Sequence, residues 1–180
     1  MKQIRRNVFE TNSSSTHSIC ISKTPVTVGK YIYFGIGEYG WESGCADIHD
    51  YLYTAILEQH DADELLERLK DILNSYSIEY EFEEPKYNTS SNGEYKWLDN
   101  GYIDHSGETR EFIDAVFSDE DMLMRCLFGD SCVYTGNDNG CDDDHMCYSA
   151  YTTIWSEDEY KNIPNPNHDS EKYDYFFKGN

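Results

Sequence analysis

Apolar positions recur with two different periods along the 180 residues. Ile48, Leu52, Ala55 and Ile56 fall at i, i+4, i+7 and i+8, the stripe of an amphipathic helix, and predict one over residues 47–59. A second helix follows, capped by Asp61 or Asp63 and running to about Leu73. Leu65, Leu66, Leu69, Ile72 and Leu73 share one of its faces, with Glu67 and Asp71 outward. Residues 108–117 and 119–128 predict two short helices, the second capped by Ser118 with Asp121 at its third position and stopped by Gly129. The other period is two. Ile78, Tyr80 and Phe82 alternate with Glu79 and Glu81, which predicts a half-buried strand over 77–82.

Residues 4–9, 18–22, 131–135, 148–155 and 173–178 also read as strands, and 26–36 as one or two. Asn100-Gly101 favours a tight hairpin turn and predicts pairing across it within 95–103. Polar loops are expected over 10–17 and 85–93, with turns at Gly35, Gly37 and Gly40 and over 136–140. Helices and strands do not alternate strictly, so a doubly wound parallel sheet is disfavoured. The expected fold class is α+β: a mainly antiparallel sheet with about four helices packed on one side, in a single domain spanning 1–180.

Charge changes this picture. The net charge is −21, which repels nucleic acid and anionic membranes and attracts basic surfaces. Residues 1–30 run the other way, with Lys2, Arg5, Arg6, Lys23 and Lys30 against Glu10 alone. Aromatic residues make up 15% of the chain, too many for a disordered acidic segment, so a core rich in rings is expected. No apolar stretch approaches the roughly 20 residues that span a bilayer, and no apolar leader follows Met1. A cytoplasmic protein is expected, with no membrane partner. The six cysteines fit no zinc or redox spacing and read as reduced thiols.

Four constellations carry candidate chemistry. Arg5 and Arg6 precede the hydroxyl-rich run Asn12, Ser13, Ser14, Ser15 and Thr16, which ends at His17. Guanidinium forks, hydroxyls and loop amides of this kind can cradle a phosphate, and His17 is a candidate general acid or base. The same hydroxyls can instead bond their own backbone in turns. His105, after Asp104, is a candidate partner for His17 in metal-free RNA cleavage, or simply an exposed residue. Asn137 and Asp138 lie in a turn-rich run and either pin that turn or point into a site. Asp142, Asp143 and Asp144 are numerous enough to attract a divalent cation but lack the EF-hand spacing, so neither a metal nor a cofactor is expected.

Those aspartates join Glu79, Glu81, Glu83 and Glu84, and Glu157, Asp158 and Glu159, in acidic runs interleaved with tyrosines. Carboxylates so arranged can imitate phosphates while the rings anchor an interface. A P-loop, a dinucleotide fingerprint, Cys-x-x-Cys pairs and a Gly-x-Ser-x-Gly elbow are absent from the sequence, which disfavours ATP hydrolysis, nicotinamide chemistry and serine hydrolysis.

The opening run from Arg5 to Ile19 resembles the start of a family of small proteins carried by phages and mobile elements of Firmicutes. Gly37 to Glu42 with Tyr51 to Thr54, Tyr102 to His105, and Leu127 to Gly129 leading to Tyr134 to Asn139 are similar to later blocks of that family. Ser106 stands where the family pattern has Gln. The resemblance extends to type II-A anti-CRISPR proteins, which inhibit the RNA-guided effector nuclease, and to a branch associated with shortening of the guide RNA. It implies a partner, the type II-A effector with its guide RNA, on whose nucleic-acid-binding surface the acidic runs dock. The alternative is a phosphodiester-acting enzyme built on Arg5, Arg6, residues 13–16 and His17, which at this charge would receive its RNA from a partner rather than bind it unaided.

Overall fold

The computed structural model describes residues 15–40, 44–93, 95–137, 151–156, 159–164 and 170–178. In chain order its first half comprises β1 (Ser15–Ser22), β2 (Tyr31–Phe34), β3 (Glu38–Tyr39), β4 (Gly44–Asp47), α1 (Ile48–Leu57), α2 (Ala62–Ser75) and β5 (Glu79–Phe82). The rest comprises β6 (Tyr87–Thr89), β7 (Lys96–Leu98), β8 (Tyr102–Ile103), a 3-10 turn (Ser106–Thr109), α3 (Arg110–Ser118), α4 (Glu120–Phe128), β9 (Cys132–Asn137), β10 (Tyr151–Ser156), β11 (Glu159–Pro164) and β12 (Tyr173–Lys178). The fold is α+β. Its main sheet has the order β12-β1-β9-β4, every pair antiparallel.

The central strand β1 is covered on both faces. Its odd positions His17, Ile19 and Ile21 point to the helices: Tyr51 of α1 bonds His17, and Phe112 of α3 packs 5.8 Å from Phe176, the partner of Ile19 in β12. Ser18, Cys20 and Ser22 face the other way and are equally buried. The strand begins three residues earlier than its apolar run, so Ser15, Thr16 and His17 belong to it and not to a loop. They pair with Asn137, Gly136 and Thr135 of β9, whose backbone takes up their hydrogen bonds.

Two smaller pairs are parallel: β2 with β5, and β3 with β8. Parallel strands need a long crossover, and α1 and α2 supply it between β2 and β5. Phe34 stacks on Phe82 at 4.7 Å across that pair. Helix α1 is buried from Tyr51 to Leu57 without a break, so the expected amphipathic helix is a core helix.

The hairpin expected around Asn100-Gly101 does not form. β7 pairs back with β6, and β8 leaves to join β3. The Asn100 carboxamide explains the change: its oxygen accepts from the Lys86 amide at 2.8 Å and its nitrogen donates to Glu83 at 3.0 Å. Gly101 lies against Ile36 and the Gly37 carbonyl, where any side chain would collide. The cap of α4 also differs from expectation. Asp119, not Ser118, accepts from the Asp121 and Met122 amides, because its extended backbone places the carboxylate over the first turn. Ser118 donates instead to the Ala115 carbonyl.

Arg125 of α4 ties the helices to the sheet. Its guanidinium donates to the Ser22 carbonyl at 2.7 Å, to Asp174 of β12 at 3.2 Å and to Asp121 at 3.0 Å. Arg110 Nη1 donates to both oxygens of Asp61 at 2.8 and 2.9 Å, joining α3 to the start of α2. That bond holds the Asp61 carboxyl below its ordinary range. A depressed carboxylate contributes stability above its unfolded value of about 3.9 and loses it as pH falls through the folded one. Asp61→Asn is therefore expected to cost on the order of 0.5–1 kcal/mol at pH 7, a modest figure because Arg110 is 38% exposed. In urea titrations the deficit should shrink as pH drops below about 4.

Candidate docking surface and the interior histidine

Alternation in β2 and β5 sorts four side chains to one outer face. Ile32, Phe34, Tyr80 and Phe82 turn inward, leaving Tyr31 and Tyr33 beside Glu79 and Glu81. The parallel register sets Tyr31 against Glu79 and Tyr33 against Glu81. Tyr31 is 54% and Tyr33 44% exposed, high for rings with a core available. The Tyr31 hydroxyl donates to Glu81 at 3.2 Å, steadying one ring and one carboxylate together. Both phenols are pushed above their ordinary values, by desolvation first and then by the neighbouring carboxylates, so they remain donors.

Glu83 and Glu84 follow on the same chain but divide. The Glu83 carboxylate accepts from the Ile36 amide at 2.9 Å and from Asn100, so it braces the fold instead of facing solvent freely. Glu84 is exposed. Glu159 opens β11, with its backbone opposite Ser156. Asp142, Asp143, Asp144, Glu157 and Asp158 lie outside the described residues, as do Arg5, Arg6, Asn12, Ser13 and Ser14.

His17 occupies the interior. Its Nε2 lies 3.0 Å from the Gly40 carbonyl, which can only accept, so Nε2 carries the proton. Its Nδ1 then accepts from the Tyr51 hydroxyl at 2.8 Å. Burial raises the Tyr51 phenol well above its usual range and keeps that hydroxyl protonated. Ser15 is buried beside it in sequence, and Thr16 is half-buried on the opposite face of the strand. Asn137 meets Ser15 through the backbone pairing of β9.

The residue before His105 is tied to the chain near His17 by its backbone. Asp104 donates its amide to the Tyr39 carbonyl, one residue before the carbonyl that holds His17. His105 itself is exposed and left-handed, with φ 55°, at the start of the 3-10 turn. His17 is thus buried in the core while His105 stands in solvent.

Two further groupings went unread in the sequence. Asp47, His49 and Asp50, at the start of α1, can bring ligand atoms within 4.8 Å of one another. Asp50 already accepts from the Gly35 amide at 2.7 Å, which gives it a structural task. The second grouping is Cys20, Cys132 and Cys45, brought onto one face of the main sheet by β1, β9 and β4. Only pairing reveals it, since the three are distant in sequence.

No family model, curated protein or solved structure matches the chain. Among the described residues, no helix is long and apolar enough to cross a membrane.

Tyr51→Phe would keep the ring packed 4.9 Å from Tyr39 and 6.3 Å from Phe112 while deleting the hydroxyl. The buried hydrogen bond to His17 Nδ1 would then be lost. The expected loss is about 1–3 kcal/mol of unfolding free energy, read from urea denaturation.

Proposed function

We propose that the chain inhibits a type II-A RNA-guided effector nuclease by docking an acidic, tyrosine-bearing face on the basic surface that holds guide RNA or target DNA. The observation that carries this reading is the outer face of β2 and β5, where Tyr31, Tyr33, Glu79 and Glu81 stand together in solvent. Such effectors hold their heteroduplex in a positively charged channel and read its backbone and shape. An occupant of that channel needs negative charge at backbone spacing and anchors that exclude water. Glu79 and Glu81, two residues apart on one strand face, leave the backbone about 6.6 Å apart, the scale on which phosphates follow one another. Tyrosine is among the residues that dominate interface hot spots. The net charge of −21 supplies long-range steering toward a basic cleft.

The resemblance of the N-terminal run and the later sequence blocks to anti-CRISPR relatives supplies the setting. With both ring nitrogens of His17 engaged inside the fold, the reading rests on docking and not on proton transfer.

The test mixes purified effector–guide complex with the wild-type chain, Glu79→Lys/Glu81→Lys and Tyr31→Ala/Tyr33→Ala. Target DNA cleavage is measured, and the guide is sized on a denaturing gel. Wild type should block cleavage with the guide intact, less well as salt rises. Charge reversal should raise the half-inhibiting concentration about 100-fold, and the tyrosine pair at least about tenfold. These side chains face solvent, so folding should survive in both variants. Undiminished inhibition by the charge-reversed chain would sink the assignment of this face, and a shortened guide would move the function toward RNA processing.

A further inference from the structure

The face of the main sheet turned away from the helices carries an arrangement of thiols that docking does not use. Cys20 of β1 and Cys132 of β9 are register partners, directly opposite one another on adjacent antiparallel strands. Cys45 of β4 is opposite Tyr134, which places it diagonally from Cys132 on the same face. All three are free thiols; Cys20 is buried, Cys132 half-buried and Cys45 exposed.

We infer that Cys132 is a peroxide-reactive thiol that closes a disulfide with Cys20 across the two central strands, a modification separate from the docking face.

Register selects the pair. Opposite residues in an antiparallel ladder have Cα atoms about 4.5 or 5.5 Å apart, both inside the roughly 4.4–6.8 Å that a disulfide spans. Diagonal neighbours stand about 7–8 Å apart, with Cβ atoms somewhat closer but still beyond the usual 3.5–4.5 Å separation of bridged Cβ atoms, so Cys45 would have to move its backbone to bridge. A metal is less well served. Among the described residues, the only three candidate ligands whose atoms all lie within 4.8 Å of one another are Asp47, His49 and Asp50, and the thiols are not among them.

The surroundings select the reacting sulfur. The neighbouring Cys20 thiol is the chief influence on Cys132, and the Tyr134 hydroxyl and the Cys45 thiol act in the same direction. Together these lower its ionisation below the ordinary thiol value, against the opposing effects of burial and of the Asp130 charge. The Cys20 thiol is pushed up by its Cys132 neighbour and by burial, and it donates to the Ser18 carbonyl at 3.9 Å, so it stays protonated. Cys126, buried within α4, is raised by burial against the opposing Arg125 charge and is inert by comparison.

The chemistry balances with hydrogen peroxide as oxidant. The Cys132 thiolate attacks one peroxide oxygen, the O–O bond breaks, and hydroxide leaves and is protonated to water. Cys132 becomes a sulfenic acid, oxidised by two electrons. The Cys20 sulfur, giving up its proton, attacks the Cys132 sulfur; the S–O bond breaks and the second oxygen leaves as water. Access is needed only for the first step, which matches a half-buried Cys132 and a buried Cys20. The product staples β1 to β9 at the middle of the sheet.

The test treats the reduced full chain with hydrogen peroxide, removes the oxidant with catalase and caps remaining thiols with N-ethylmaleimide. Thiols are counted after denaturation, and peptides are mapped by mass spectrometry without reduction. The expected result is two fewer thiols than the six of the reduced chain and a Cys20–Cys132 cross-linked peptide. A rise in melting temperature that dithiothreitol reverses should accompany it. Cys132→Ser and Cys20→Ser should abolish the cross-link, while Cys45→Ser and the pair Cys141→Ser/Cys147→Ser should keep it. Mapping the wild-type chain decides the matter even if a serine variant fails to fold. Six thiols surviving peroxide, or Cys132 recovered joined to Cys45, Cys141 or Cys147, would overturn the inference.

Discussion

The imidazole of His17 is the polar group on which the interior is organised. Wholly buried on the central strand, it satisfies both ring nitrogens within the fold, at the Tyr51 hydroxyl and the Gly40 carbonyl. Those two bonds link three elements: the main sheet, the core helix α1, and the corner where β3 hands the chain toward β4. The corner is held again from its other side by the Asp104 amide on Tyr39. A buried polar network of this kind specifies one arrangement, because every alternative packing strands a donor or an acceptor. The apolar core then closes around it, with Tyr39 and Phe112 against the Tyr51 ring.

With its core so filled, the molecule can leave rings outside. Tyr31 and Tyr33 are not surplus apolar surface that failed to find the interior; strand alternation sends Ile32 and Phe34 inward and these two outward. Their partners across the pair are the outward carboxylates of β5. A mixed face of rings and charge suits a wet, basic partner surface better than an apolar groove would, because the carboxylates keep it soluble while it is free. The bond from Tyr31 to Glu81 also reduces the side-chain freedom lost when a partner arrives.

The opposite logic governs the back of the main sheet. There β1 presents Ser18, Cys20 and Ser22, small residues that are buried without contributing large rings. Small side chains let sulfur atoms from three strands approach one another, and the antiparallel register decides which of them face each other squarely. Two properties therefore come from the two faces of one strand: a fixed interior histidine in front and thiols within reach behind.

Much of the fold was legible in the sequence because its signals are local. The four helices, the strand that carries Glu79 and Glu81, and the final strand follow from periodicity and turn residues, which act over a few positions. The acidic-and-tyrosine face was half legible: alternation predicted outward glutamates, but only the pairing of β2 with β5 set Tyr31 and Tyr33 beside them. The rest needed partners distant in the chain. A hydroxyl-rich run ending in histidine has the composition of a phosphate loop, yet β9 pairs with its last three residues and draws His17 inside. Asn100-Gly101 has a hairpin's chemistry, yet Lys86 and Glu83 claim the carboxamide and the turn joins two sheets instead. The sequence by itself determined where the chain bends, coils and extends, together with its charge. Only the tertiary structure decided which polar groups are buried and which cysteines meet, because both depend on hydrogen-bond partners that no local spacing encodes.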